Sequence, residues 1–211
     1  GVTGVQTCAL PICPMILKAL KLSLLLALAP MVAIDAAEAK PVVQATKATG
    51  PLVLMTDFGL KDGAVSAVKG VAYGVSPKLL ISDLTHEIPA GDIWEGAYRL
   101  SQTAPYWQKG TVFVAVVDPG VGTSRLSIAV KTKAGHIYVL PNNGLVTLVA
   151  EDEGVEAVRT IDERTNRLKG SEDSNTFFGR DVFGYTAARL ASGTIRFEQV
   201  GPLVSTDKLV R

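Results

Sequence analysis

Three short apolar runs, each closing on an aspartate, set the tightest limit on what this chain can fold into. They read LVLMTD at 52–57, LLISD at 79–83 and VFVAVVD at 112–118. A continuous apolar run of that length suits a strand buried on both faces of a parallel sheet, and parallel neighbours need a crossover between them. The intervening stretches supply one. Ala64, Val65, Val68, Val71 and Ala72 make a helical stripe behind a capping Asp62, with Gly74 placed to close the helix in the left-handed region. Asp92 and Glu95 have capping-box spacing ahead of a second helix through Trp94, Ala97, Tyr98 and Leu100, which must stop by Pro105. Strands are predicted at 52–55, 79–81 and 111–117, a hairpin at 127–131 and 136–140, a helix at 145–151, a strand at 155–161, and a last helix at 182–190 closed by Gly193. The pattern predicts an α/β fold: a layered, mostly parallel sheet with flanking helices, in one domain spanning 51–202.

The first residues read differently. Residues 2–12 spell VTGVQTCALPI, the translation of a sequencing-adapter oligonucleotide, so residues 1–14 are expected to be an assembly artefact. Both cysteines of the chain, Cys8 and Cys13, fall inside it, which removes any redox argument. From Met15 the chain carries Lys18 and Lys21, an apolar run over 22–34 broken by Pro30, and the small-x-small triplet Ala37, Glu38, Ala39. That is a secretory signal cut before Lys40, with 40–50 as a linker. The alternative, a membrane anchor, needs roughly 20 uninterrupted apolar residues. The expected location is therefore secreted or periplasmic, with no membrane contact after cleavage. With Lys and Arg numbering 21 against 20 for Asp and Glu, the chain has no basic excess to hold a phosphate backbone, and nucleic acid is not an expected partner.

In open α/β sheets ligands sit beyond the carboxyl ends of the strands. Three places qualify: Asp57 with Phe58 and Gly59; Asp83 with Thr85 and His86; and Asp118 with Pro119, Gly120 and Gly122. Each alone is ordinary turn chemistry. All three at one edge point to a site. Asn142, Asn143 and Gly144 either supply positive φ to a tight turn or offer amides to a polar ligand. His136, in an alternating strand pattern, reads as a surface or hairpin residue; His86 is better placed, although bonding a loop would also explain it. The chain has no His-x-x-x-His, no Gly-x-Ser-x-Gly and no phosphate-cradling loop with Lys. No metal or cofactor is expected.

Taken in order, MTDFGLKDGAVSAVKGV, ISDLTHEIPAGDIWEGA, VVDPGVGTSR, LPNNGL and TFFGRDVF resemble the S-adenosylmethionine hydroxide adenosyltransferases, relatives of the chlorinating and fluorinating enzymes. The resemblance runs over about 51–211. It implies a Rossmann-like N-terminal domain, a C-terminal β-barrel that is absent here, a homotrimer at full length, and attack of water on the ribose C5′ of the substrate S-adenosylmethionine to give adenosine and L-methionine. By the same resemblance Asp57 holds the ribose hydroxyls, Asp118 and Arg125 are the catalytic first members of an Asp, Arg, His water-activating trio, and Asn143 matches a substrate-site asparagine. Arg125 would keep the Asp118 carboxylate ionised. The third member should be the His of a TFHGRD motif, and Phe178 stands there. Residues 203–211 would be the start of a truncated C-terminal domain. Two rival functions remain open: a non-catalytic adenosine or nucleoside-binding protein, and a metal-dependent nucleoside hydrolase suggested by TDFGLKD, in which Lys61 occupies a position where a further metal-binding Asp would be wanted.

Overall fold

Strand β1, Leu52–Thr56, is buried along its whole length. Its side chains divide by parity, as a strand covered on both faces requires. Leu52 and Leu54 enter one core with Val112, Val114 and Val182, while Val53 and Met55 enter another with Leu100, Phe113 and Leu140. Helices α1 (Ala64–Val75) and α4 (Tyr185–Ala191) cover the first face; α2 (Ile93–Thr103) and α3 (Thr147–Glu153) cover the second. The layers are thus helix, sheet, helix. The computed structural model describes residues 50–120 and 122–211; the artefact, the signal and nearly all of the linker expected at 1–50 lie outside the described residues.

The other strands are β2 (Ile81–Thr85), β3 (Val112–Val116), β4 (Ser127–Thr132), β5 (Ile137–Pro141), β6 (Val155–Thr160) and β7 (Leu203–Val204). They form one sheet in the order β2-β1-β3-β5-β4-β6-β7. β2, β1, β3 and β5 are parallel neighbours, with Thr56 of β1 facing Val116 of β3. β4, β6 and β7 continue the sheet antiparallel. The reversal comes from the short connection between β4 and β5, which permits a hairpin and forbids a crossover. Among the described residues no helix is long and apolar enough to cross a membrane.

Local departures from the expected elements have local causes. Gly74 does not close α1: the helix runs on to Val75 and ends where Ser76 turns extended. β2 starts at Ile81, so Asp83 and Thr85 lie within the strand rather than beyond it. This is an edge strand paired on one side only, and partial exposure lets polar residues occupy it. Residues Gly179–Gly184 wind as a π-helical turn ahead of α4, a form frequent at functional sites. Residues 203–211 pack onto the sheet: β7 pairs with β6, Leu209 is buried in the second core, and the Asn142 amide donates to the Lys208 carbonyl (2.9 Å) and accepts from the Val210 N–H (2.9 Å).

Candidate active site

From β1 the chain passes through α1 to β2 on one side; from β3 it moves on to β4 and β5 on the other. The crevice at such a switch point, outside the carboxyl ends of the strands, is where α/β sheets bind ligands. Asp57 follows β1 and Asp118 lies just beyond β3. The Asp57 N–H donates to the Val116 carbonyl (3.3 Å), which brings the two loops alongside each other.

Asp57 is fastened by one oxygen. Its Oδ2 accepts the Gly91 N–H at 2.9 Å, and no described residue hydrogen-bonds Oδ1. Gly91 has φ of 73°, a conformation that a side chain would strain. It immediately precedes Asp92, whose Oδ1 accepts the Glu95 N–H (2.9 Å) and caps α2 as the spacing predicts. A cleft of about 430 Å³ opens here, lined by Asp57, Phe58, Gly59, Lys61, His86 and Glu87 among others.

Asp118 is also fastened by one oxygen. Its side chain is 4% exposed, and Oδ1 accepts both the Arg125 Nη1 and the Gly120 N–H (2.8 Å). No described residue hydrogen-bonds its Oδ2. Asn143 supports this loop from below, donating from Nδ2 to the Val117 carbonyl (2.8 Å) and accepting the Leu145 N–H on Oδ1 (3.2 Å). Its amide therefore joins the end of β3 to the turn leading into α3.

The TFFGRD segment closes the group. Phe177 meets Phe58 edge-on with centroids 5.6 Å apart, and a Cβ on Gly179 would fall 2.6 Å from the Phe58 ring. A side chain at position 179 would displace the Phe58 ring. On the other loop, a Cβ on Gly122 would lie 3.2 Å from the Asn175 carbonyl oxygen. Phe178 packs against the first core, and the Arg167 guanidinium lies over its ring at 5.0 Å. Arg167 is itself held by Glu163 (2.9 Å), by the Ser171 carbonyl (2.9 Å) and by the Ser174 carbonyl.

The two histidines part company. His86 is buried, with Nδ1 2.8 Å from the Thr56 hydroxyl and Nε2 3.1 Å from Asp83 Oδ1, a close approach without hydrogen-bond alignment. Asp83 sits below the usual carboxylate range: burial works against its charge, but the hydrogen bond from Lys69 and the close approach of the His86 ring outweigh it. His136 is a correction to the surface reading. It is buried at the opposite end of the sheet, bonded through Nδ1 to Glu153 (2.8 Å) and through Nε2 to the Trp107 carbonyl (3.1 Å). Gly91 and Thr56 were not singled out from the sequence. The glycine directly before the Asp92 cap was a usable signal; nothing local marked Thr56 or Lys69. Among the described residues no group of three or more His, Cys, Asp or Glu is arranged to hold a metal ion.

Residues 52–201 match the model of the SAM hydroxide adenosyltransferase N-terminal domain. The chain belongs to this family. Similar proteins include an (R)-S-adenosyl-L-methionine hydrolase from Salinispora tropica, 45% identical over 157 residues, covering 74% of this chain and 58% of the relative. A fluorinase from Actinoplanes sp. is 28% identical over 182 residues, covering 76% of this chain and 60% of that enzyme. Among solved structures, an uncharacterized conserved protein from Thermotoga maritima superposes with a TM-score of 0.70 at 37% identity, over 74% of this chain and 59% of its own. This family member thus spans less than two thirds of the length of the relatives it matches.

Proposed function

We propose that this domain binds S-adenosylmethionine at the β1/β3 switch point and that, at the length of its relatives, it serves hydrolysis to adenosine and L-methionine. The observation that carries the reading is the pair of carboxylates there, Asp57 and Asp118, each fastened through one oxygen while no described residue bonds the other. The open oxygen of Asp57 would accept the ribose hydroxyls, and that of Asp118 would accept a proton from the attacking water. In the reaction the water oxygen forms a bond to C5′ as the C5′–S bond breaks. The electron pair leaves on sulfur and the water proton passes to Asp118. A sulfonium departs as a neutral thioether, so no general acid is needed, and the burden falls on positioning. Arg125 orients and charge-balances Asp118, and Asn143 shapes the substrate site through the loop it braces. The extracytoplasmic setting rests on residues 15–39 and the homotrimer on the family resemblance.

A specific observation favours a second reading, in which recognition persists without turnover: Phe178 occupies the position of the third activating residue and lies under a fully engaged Arg167. One experiment separates the two. A chimera continuing this domain with the remaining segment of the Salinispora tropica relative is titrated with adenosine and assayed for adenosine release from S-adenosylmethionine. Asp57→Asn should weaken adenosine binding by about 1.5–3 kcal/mol, the scale of a charged hydrogen bond. Binding with release supports hydrolysis, and binding without release supports the second reading. Binding that ignores Asp57→Asn refutes the ribose assignment.

A further inference from the structure

The loop that carries Asp57 is tied down by residues that the reaction itself does not use. The Thr56 hydroxyl accepts the Phe58 N–H (3.3 Å) and meets His86 Nδ1 (2.8 Å). The His86 carbonyl accepts the Gly59 N–H (2.7 Å), and the imidazole Nε2 faces Asp83 Oδ1, whose other oxygen accepts Lys69 Nζ (2.6 Å). The Nδ1–Thr56 contact ties the two side chains together whichever of them donates. The line Thr56, His86, Asp83 has the outline of a nucleophile, base and orienting acid. Here it faces inward: Thr56 is 3% exposed, and its oxygen already serves the Phe58 N–H.

We propose that His86 is a positioning residue for the ribose site: through Thr56 and its own carbonyl it sets the turn at Asp57, and Asp83 with Lys69 holds the imidazole in register. The same residue begins the segment that ends in Gly91, the N–H donor to Asp57. One side chain therefore couples both walls of the cleft. The functional half of this inference rests on the ribose reading above; the structural half does not.

The test uses the whole chain and reads amide hydrogen exchange at Phe58 and Gly59 beside adenosine affinity. Thr56→Val keeps the shape and removes the hydroxyl, so both amides should exchange about tenfold faster or more, the effect of losing one buried hydrogen bond. Thr56→Ser restores the hydroxyl and should restore the protection, an outcome that a purely space-filling role would not produce. Asp83→Asn, on the exposed edge strand, should loosen the same amides through His86 and serves if Thr56→Val fails to fold. Unchanged exchange at Phe58 and Gly59 in folded Thr56→Val and Asp83→Asn overturns the proposal, as does equal loosening by Val and Ser. Where adenosine binds the parent chain, its affinity should fall in step with protection, and affinity that stays level while protection is lost overturns the positioning role. Loosened amides where even the chimera binds no adenosine uphold the His86 tie and count against the ribose reading alone.

Discussion

Removing the charge of Glu153 should cost this domain a large part of its stability, with a characteristic pH signature. Glu153 lies under the amino-terminal ends of the strands, its side chain 8% exposed, beside His136 at 6%. It accepts three hydrogen bonds, from Thr132 (2.7 Å), His136 (2.8 Å) and Tyr138 (2.8 Å). The Glu153 hydrogen bond, opposed by burial, lifts the His136 pKa above its ordinary 6.5. Burial opposes the charge on Glu153 too, yet the bonds from His136, Thr132 and Tyr138 bring it below its ordinary 4.5. Glu153→Gln keeps the shape and strips the charge. The lower bound is one charge-assisted hydrogen bond, about 1.5 kcal/mol; breaking a buried pair by removing one partner costs about 3–5 kcal/mol. Near-complete burial of both groups places the expectation at about 3 kcal/mol or more.

The pH dependence follows from linkage. A raised histidine pKa stabilises fully below 6.5, and that contribution is lost as pH climbs through the folded value; a lowered glutamate pKa stabilises fully above 4.5 and is lost as pH falls through its folded value. The parent chain should therefore draw most from this pair between those two values and weaken on either side. Urea unfolding of both chains from pH 4 to 9 makes the measurement. A Glu153→Gln penalty under about 1 kcal/mol, less than one charged hydrogen bond, or an alkaline slope equal to the parent's, would refute the reasoning.

Two further outcomes are expected. Asn142→Ala removes both bonds holding residues 208–210, so the Val210 amide should lose exchange protection and unfolding should become easier by about 1–3 kcal/mol; intact protection at Val210 would show that Leu209 packing suffices. Phe178→His should cost about 1–3 kcal/mol in thermal unfolding, through lost packing and a weakened Arg167 stack, with the new imidazole kept neutral by that guanidinium. In the chimera it should raise adenosine release at least about tenfold, and Asp118→Ala should cancel the gain. Equal release by the chimera with and without Phe178→His would place water activation elsewhere.

Strand parity, the Asp92 cap of α2 and the aspartates beyond β1 and β3 were legible because each is encoded within a few residues. LVLM running out through Thr56 to Asp57 reads as a buried strand with a polar exit, and the Asp92–Glu95 spacing named its own hydrogen bond. The motif order carried the family, and with it Asp118 and Arg125, whose contact the fold makes. What the tertiary structure alone decided were the long-range partners. Gly91 reaches Asp57 across 34 residues and Thr56 reaches His86 across 30. His136 is buried because Glu153, 17 residues on, neutralises it, and no alternating pattern records that. The β4–β5 hairpin was legible in its short connection, but the pairing of β6 with β4 and the return of β7 to β6 are fixed by packing rather than by any local run of residues. Local propensities select the elements; the burial of polar groups, which must find partners at any sequence distance, determines which residues meet.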